Sequence, residues 1–208
     1  IAINKPNNIA VQGGSNINLC VDDALGYINS QIDMDNHLKL VHRLDKYTNG
    51  VLLISKGFAS SQKIGEAFKK KLIKKTYIAK VSPVPKALAG TIQNHIGKIT
   101  LDGKQLYSVC DDGKLAITKY KVLSTNNGVA KVLLEPITGR THQLRVHMSH
   151  IGSPIVGDRK YGGLDDQDLQ LSAAQMEIDQ SVFGHEIIIR LPLYEPLLFA
   201  SKIKYSKA

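Results

Sequence analysis

The chain has 208 residues, a length that suits one domain with a sizeable apolar core, and its two cysteines, Cys20 and Cys110, stand apart with no C-x-x-C pair, so neither a disulfide framework nor a thiolate zinc site is expected. With 27 Lys and Arg against 18 Asp and Glu the net charge is +9, an excess of cations that suits a phosphate-bearing partner or a solvated basic surface alike. No apolar run approaches the roughly 18 to 20 residues of a membrane span, and residues 1–6 lack the apolar core of a signal peptide, so a soluble, cytoplasmic protein is expected.

The chain starts with Ile rather than Met, inside what reads as a strand, so residues upstream are expected. Residues 38–41 and 51–54 read as short strands around Lys46-Tyr47-Thr48-Asn49-Gly50, whose Asn-Gly pair signals a tight hairpin turn. Between them, Val41-His42-Arg43-Leu44-Asp45 sets one carboxylate among basic neighbours beside an apolar run. Spacing alone leaves two readings of Asp45: a turn residue bonded to its own backbone, or an ionised carboxylate at the lip of a sheet, presented to a cleft.

Residues 57–72 read as a helix, with Phe58, Ile64, Phe68 and Leu72 near helical spacing. Its basic end, Lys69-Lys70-Lys71 and then Lys74-Lys75, is either a solvated face or a phosphate track. Residues 74–81 alternate as a strand that points Tyr77, Ala79 and Val81 one way, and Thr76 and Ile78 the other. Pro83-Val84-Pro85 closes it, and 88–113, poor in apolar residues, reads as loops and brief hairpins without chemistry.

Residues 115–123 and 129–134 form a hairpin through Thr125-Asn126-Asn127-Gly128. Leu144, Met148 and Ile151 mark a helix over 141–150 with Gly152 as its C-terminal stop, which puts Arg140 at a helix N-terminus. The acidic patch Asp165-Asp166-Gln167-Asp168 reads as a solvated loop or helix start, and 186–193 as a last apolar strand. Strands and helices intersperse without regular βαβ alternation, so the fold class is α+β.

His42-Arg43-Leu44-Asp45-x-x-Thr48-x-Gly50, followed by an apolar strand, resembles the catalytic motif of the RluA-type pseudouridine synthases, enzymes that isomerise uridine in RNA. Three further stretches resemble that family in its own order. They are Ile3-Asn4-Lys5-Pro6 with Val11-Gln12-Gly13-Gly14, Lys75-Thr76-Tyr77-Ile78-Ala79, and Glu135-Pro136-Ile137-Thr138-Gly139-Arg140-Thr141-His142-Gln143-Leu144-Arg145-Val146-His147. The chain departs from the pattern at Asn49, where Ser is usual, and at Ser172, where members read Leu-His-Ala.

The resemblance implies one pseudouridine-synthase-like catalytic domain over 1–208, on a mixed, mainly antiparallel sheet with flanking helices and loops. The small N-terminal RNA-binding module of many members is expected to be missing from this chain. It implies that Asp45 is the catalytic carboxylate, that Arg140 is the partner keeping it charged, and that Tyr77 stacks under the uracil while its hydroxyl helps to take the C5 proton. Arg43 would brace the space left by a flipped-out nucleotide. His42, Thr48, His142, Gln143, Arg145, Lys74 and Lys75 would contact or position RNA. The motif combination most resembles the branch acting on large-subunit ribosomal RNA, which makes RNA the expected partner of a monomer needing no cofactor and no metal. His142, His147 and His150 lack the Glu or Cys company of a metal site. Rival functions are a silent RNA-binding or ribosome-assembly protein, a synthase acting on transfer RNA, and a phosphodiesterase built on His142 and His147.

Overall fold

Near-continuous burial marks two strands, β3 (Asn49–Lys56) and β9 (Leu171–Ile178), because both of their faces are covered. The structure, a computed structural model, describes residues 1–14, 19–101, 103–163 and 168–192. Within it β3 and β9 pair in parallel through Asn49↔Ser172 and Gly50↔Ala173, while every other strand pairing is antiparallel. The main sheet path begins β1 (Ala2–Lys5), β3, β9, β4 (Ile73–Val81). It continues through β8 (Val129–Pro136), β7 (Lys114–Asn126), β5 (Ala89–Leu101) and β6 (Lys104–Val109). Two short strands join from the side, β2 (Leu38–Leu40) on β3 and β10 (Ile187–Arg190) on β9.

Successive side chains of β3 feed two cores. Leu52 and Ile54 pack with Val21 and Leu25 of α1 (Val21–Asn29) and with Leu144 and Met148 of α3 (Gln143–His150). Val51 and Leu53 pack with Ile64 and Ala67 of α2 (Phe58–Lys69) and with Val182 of α4 (Gln180–Phe183). The sheet is thus clad by helices on both faces only around its centre, and the α+β class expected from the sequence holds.

Asn49-Gly50 does not make the expected hairpin turn. The turn closes one step earlier, where the Thr48 N–H donates to the Asp45 carbonyl at 3.0 Å, and Asn49-Gly50 instead opens β3. Gly50, at φ +117°, lets β3 run against β9: a Cβ there would collide with the Ala173 backbone.

Where loops and brief hairpins were expected over 88–113, β5 is a 13-residue strand that pairs with β6 from Ile96↔Val109 to Leu101↔Lys104; only Ile92 and Ile96 are buried along β5, so the segment carries no strict alternation in sequence. The β7–β8 turn does form at Asn127-Gly128, both with positive φ. Gly152 ends α3 as expected, its N–H donating to the Ser149 carbonyl and the Ser153 N–H to the Met148 carbonyl, both at 2.9 Å. Phe58, expected on the inner face of α2, is exposed with the Lys39 ammonium over its ring. Both cysteines are free thiols. Asp165, Asp166, Gln167 and position 193 lie outside the described residues, and among the described helices none is long and apolar enough to cross a membrane.

Candidate active site

Asp45 sits in the loop between β2 and β3 at the mouth of an open cleft, its side chain 24% exposed, so substrate can reach it while most of its surface is held by protein. Beneath the loop lies Lys5, wholly buried, whose amine donates to the carbonyls of Pro6 and Ile9 at 2.8 Å and of Lys46 at 3.2 Å. Burial lowers its pKa to about 8, with the charge of Asp45 pulling the other way. Thr48 is buried at the cleft wall, and Arg43 is exposed at its rim.

One wall comes from β4. A register shift interrupts its ladder with β9 between Thr76 and Tyr77, and Lys75 and Tyr77, on either side of it, both line the cleft. Tyr77 is 8% exposed, and burial, with the negative charge of Asp45 adding to it, pushes its hydroxyl well above the usual phenol range. It is therefore a neutral phenol whose ring and hydroxyl can hold a base, and it is ill suited to take a proton itself. Burial likewise lowers the pKa of Lys75, whose amine lies over the Phe68 ring at 5.9 Å. Lys74, expected beside it as an RNA contact, is exposed and does not line the cleft.

The other wall is the loop from β8 into α3, fixed by Gln143. Its side-chain oxygen accepts from the Thr138 hydroxyl at 2.7 Å and the Arg140 N–H at 3.0 Å. Its amide donates to the Ile117 carbonyl and the Thr118 hydroxyl oxygen, both at 3.0 Å. Gln143 is 4% exposed, lines the cleft, and shapes the loop through these four bonds.

The pairing of Arg140 with Asp45 expected from the sequence is not formed. Arg140 is exposed at the rim and donates through Nε to the Leu115 carbonyl at 2.9 Å. The charge of Asp45 does reach Arg145, expected only as an RNA contact. Burial would lower its pKa, but a bidentate bond to Asp158, 2.8 Å from Nε and 2.7 Å from Nη2, and the charges of Asp158 and Asp45 raise it instead. Arg145 is one of six consecutive buried residues of α3, whereas Arg140 lies before the helix begins.

His142 Nε2 is 3.9 Å from Asp45 Oδ2 and His142 Nδ1 is 2.7 Å from the Tyr161 hydroxyl. Burial first, against the opposing charge of Asp45, lowers the imidazole pKa to about 4. His42, also expected at the RNA, points away from the cleft: its Nε2 accepts from the Leu53 N–H at 2.8 Å and its ring rests on Phe68. His147 is wholly buried between Thr118 and Asn94, so the histidines of this region diverge. Among the described residues no three His, Cys, Asp or Glu side chains converge as a metal site would require.

The model of the family described as RNA pseudouridylate synthase matches residues 1–150. The chain belongs to that family. The ribosomal large subunit pseudouridine synthase C of Rickettsia prowazekii is 45% identical over 202 residues, covering 93% of this chain and 66% of its own length. That of Haemophilus influenzae is 35% identical over 191 residues, 91% of this chain and 57% of its own. The chain thus spans just under two thirds of the first relative. Among solved structures, human RNA pseudouridylate synthase domain containing 4 superposes with a TM-score of 0.75 at 28% identity, covering 91% of this chain and 84% of that one.

For a pseudouridylate synthase domain the arrangement brings together Asp45, Thr48, Lys75, Tyr77, Arg140, His142 and Arg145 and leaves out His42 and Lys74. Sequence reasoning missed the supporting residues Lys5, Asp158 and Tyr161. Lys5 carried a signal in Ile3-Asn4-Lys5-Pro6, but nothing local in the sequence marks Asp158 or Tyr161. Ser172, the departure from the family pattern, is buried in β9 behind the cleft wall, paired with Asn49 and Ile78.

Proposed function

We propose that the protein isomerises uridine to pseudouridine in RNA, with large-subunit ribosomal RNA as substrate and the cytoplasm as its place of action. The observation that carries this reading is the single carboxylate of Asp45 at the mouth of a cleft with the neutral Tyr77 ring in its wall. Glycoside hydrolysis ordinarily uses two carboxylates, whereas this cleft is lined by one. The names of the relatives support the ribosomal target.

The reaction breaks the N1–C1′ bond, turns the uracil and joins C5 to C1′; the proton leaving C5 is balanced by one gained at N1. Asp45 acts on the sugar, as nucleophile at C1′ or as base at C2′, and either role needs its ionised form. Arg145, coupled to Asp45 and itself locked by Asp158, supplies the fixed positive charge that offsets the desolvation of the carboxylate. Tyr77 stacks on the detached base and holds it while it turns. Arg43 and Arg140 at the rim, with Lys75 deeper in, meet the phosphates flanking the extruded nucleotide.

The test is tritium release from RNA carrying C5-labelled uridine, paired with pseudouridine mapping in ribosomal and transfer RNA from cells with and without the gene. Release by the wild-type chain, its abolition in Asp45→Asn with RNA affinity within about twofold, and loss of a ribosomal pseudouridine are expected; retained release by Asp45→Asn would overturn the reading.

A further inference from the structure

Beyond the residues that face the substrate, a chain of contacts runs from β6 to Asp45. The Tyr107 N–H donates to the Tyr161 hydroxyl oxygen at 3.3 Å, and that oxygen is 2.7 Å from His142 Nδ1. On the far side of the same imidazole, Nε2 is 3.9 Å from Asp45 Oδ2. Along the order Tyr107, Tyr161, His142, Asp45, one arrangement of protons gives every donor an acceptor within the chain of contacts. A phenol has one proton to give. Arg145, whose guanidinium is 4.9 Å from the ring centroid, has no acceptor, Asp158 is engaged by Arg145 and by the Lys160 N–H, and the side chain within hydrogen-bond reach of the hydroxyl is His142. The hydroxyl proton is therefore assigned to His142 Nδ1, which puts the imidazole proton on Nε2, facing Asp45.

The backbone reinforces this placement. His142 adopts φ +55°, an unusual conformation for a residue with a side chain, immediately before α3 begins. Its ring meets those of Tyr161 and Tyr107 edge-on, with centroids 5.6 and 5.8 Å away. Two aromatic rings and one hydrogen bond thus hold an imidazole whose free N–H points into the cleft.

We infer that Tyr161 and His142 are positioning residues for Asp45: the Tyr161 hydroxyl fixes the Nε2–H tautomer of His142, and that N–H closes on Asp45 Oδ2 when RNA seats, leaving the other carboxylate oxygen aimed at the sugar. Catalytic hydrogen bonds are often long in the free enzyme and shorten in the complex, which is how 3.9 Å is read here. The neutral imidazole suits the task, since a donor of fixed direction orients the anion without neutralising it. This inference rests on Asp45 being the catalytic carboxylate.

The experiment pairs two readouts on Tyr161→Phe, which keeps the ring under Arg145 and removes only the hydroxyl. Nitrogen-15 NMR of the imidazole rings reports the tautomer without any need for turnover. A protonated Nε2 and bare Nδ1 at His142 in the wild type, giving way to a mixture in Tyr161→Phe, is the expected result; a protonated Nδ1 in the wild type would overturn the relay. Single-turnover tritium release should fall about tenfold or more in Tyr161→Phe with RNA binding little changed, as a slightly misplaced catalytic group predicts. His142→Ala and the double variant should lose the same amount, because the two residues act in series. Equal turnover in Tyr161→Phe, or additive losses, would return Tyr161 to a packing role. A wild-type chain that shows the Nε2–H tautomer yet releases no tritium from any RNA would sink the pseudouridine synthase reading and with it the positioning role, while leaving the hydrogen-bond chain in place.

Discussion

The buried amine of Lys5 donates to the carbonyl of Lys46, one residue beyond Asp45, and so ties the edge strand β1 to the loop that presents the carboxylate. No other lysine among the described residues is wholly buried. A Lys5→Met variant keeps most of the volume but leaves the Pro6, Ile9 and Lys46 carbonyls without their donor. An unsatisfied buried carbonyl costs about 1–3 kcal/mol, but Pro6, Ile9 and Lys46 are exposed residues whose carbonyls can in part turn to water, so a loss of about 2–4 kcal/mol in all is expected in urea denaturation. Turnover should fall further than stability does, since the slackened segment is the one next to Asp45. An unchanged urea midpoint would show that the loop holds itself.

Arg140 and Arg145 should fail in different ways. Removing Arg145 as Arg145→Leu leaves Asp158, 1% exposed, as a buried charge without its bidentate partner, a type of change that costs about 3–5 kcal/mol. Arg140→Ala removes one exposed side chain and its bond to Leu115, and should cost about 1 kcal/mol or less. Its effect should instead appear as weaker RNA binding. Calorimetric melting of both variants beside filter binding separates the two; a large melting shift for Arg140→Ala would reverse their roles.

The contrast between these arginines marks where the sequence is legible. Strand β4 is readable because its run of strand-forming residues between Lys75 and Pro83 is local, and the β7–β8 turn because Asn127-Gly128 is a local conformational demand. Asp45 and Tyr77 were readable through motifs. What holds Arg145 in place is its burial in α3 and the position of Asp158, a residue 13 positions further on. No window of sequence contains that relation. Asn49-Gly50 misled for a related reason: glycine was needed for the approach of β9, more than a hundred residues later, and the same dipeptide would also serve a turn. The β5–β6 hairpin was hidden because it buries little, so its pairing leaves only a faint apolar pattern.

Buried imidazoles should make the fold sensitive to mild acid. His42, His142 and His147 each have a pKa near 4 in the fold, burial being the first cause, against 6.5 as the ordinary value. Between those limits the unfolded chain binds protons that the folded chain refuses, so stability is full above about pH 6.5 and falls as pH drops towards 4. Each histidine adds a slope of up to about 1.4 kcal/mol per pH unit inside that window. Urea midpoints at pH 7.5, 6 and 5 should therefore decline before the carboxylates titrate. His147→Gln, which can still reach Thr118 or Asn94, should flatten the decline; a wild-type midpoint constant down to pH 5 would contradict the buried neutral state.

Adjacent lysines should differ in their hold on RNA. Lys75 lines the cleft, whereas Lys74 is exposed outside it and Lys69 is bridged to Glu66 at 2.7 Å on the open surface of α2. A lysine that meets a phosphate releases a counterion, and its loss reduces the slope of log affinity against log salt by about 0.7 to 0.9. Lys75→Gln should show that reduction together with weaker binding, and Lys74→Gln should show neither. The same comparison is informative for the partly desolvated amine of Lys75, since burial already lowers its pKa and an incoming phosphate would raise it again. Raising the pH through the alkaline range should accordingly weaken binding by the wild type while leaving Lys75→Gln less affected. Equal slopes for the two variants would place the phosphate contact elsewhere on the surface and leave Lys75 as a structural cation beside Phe68.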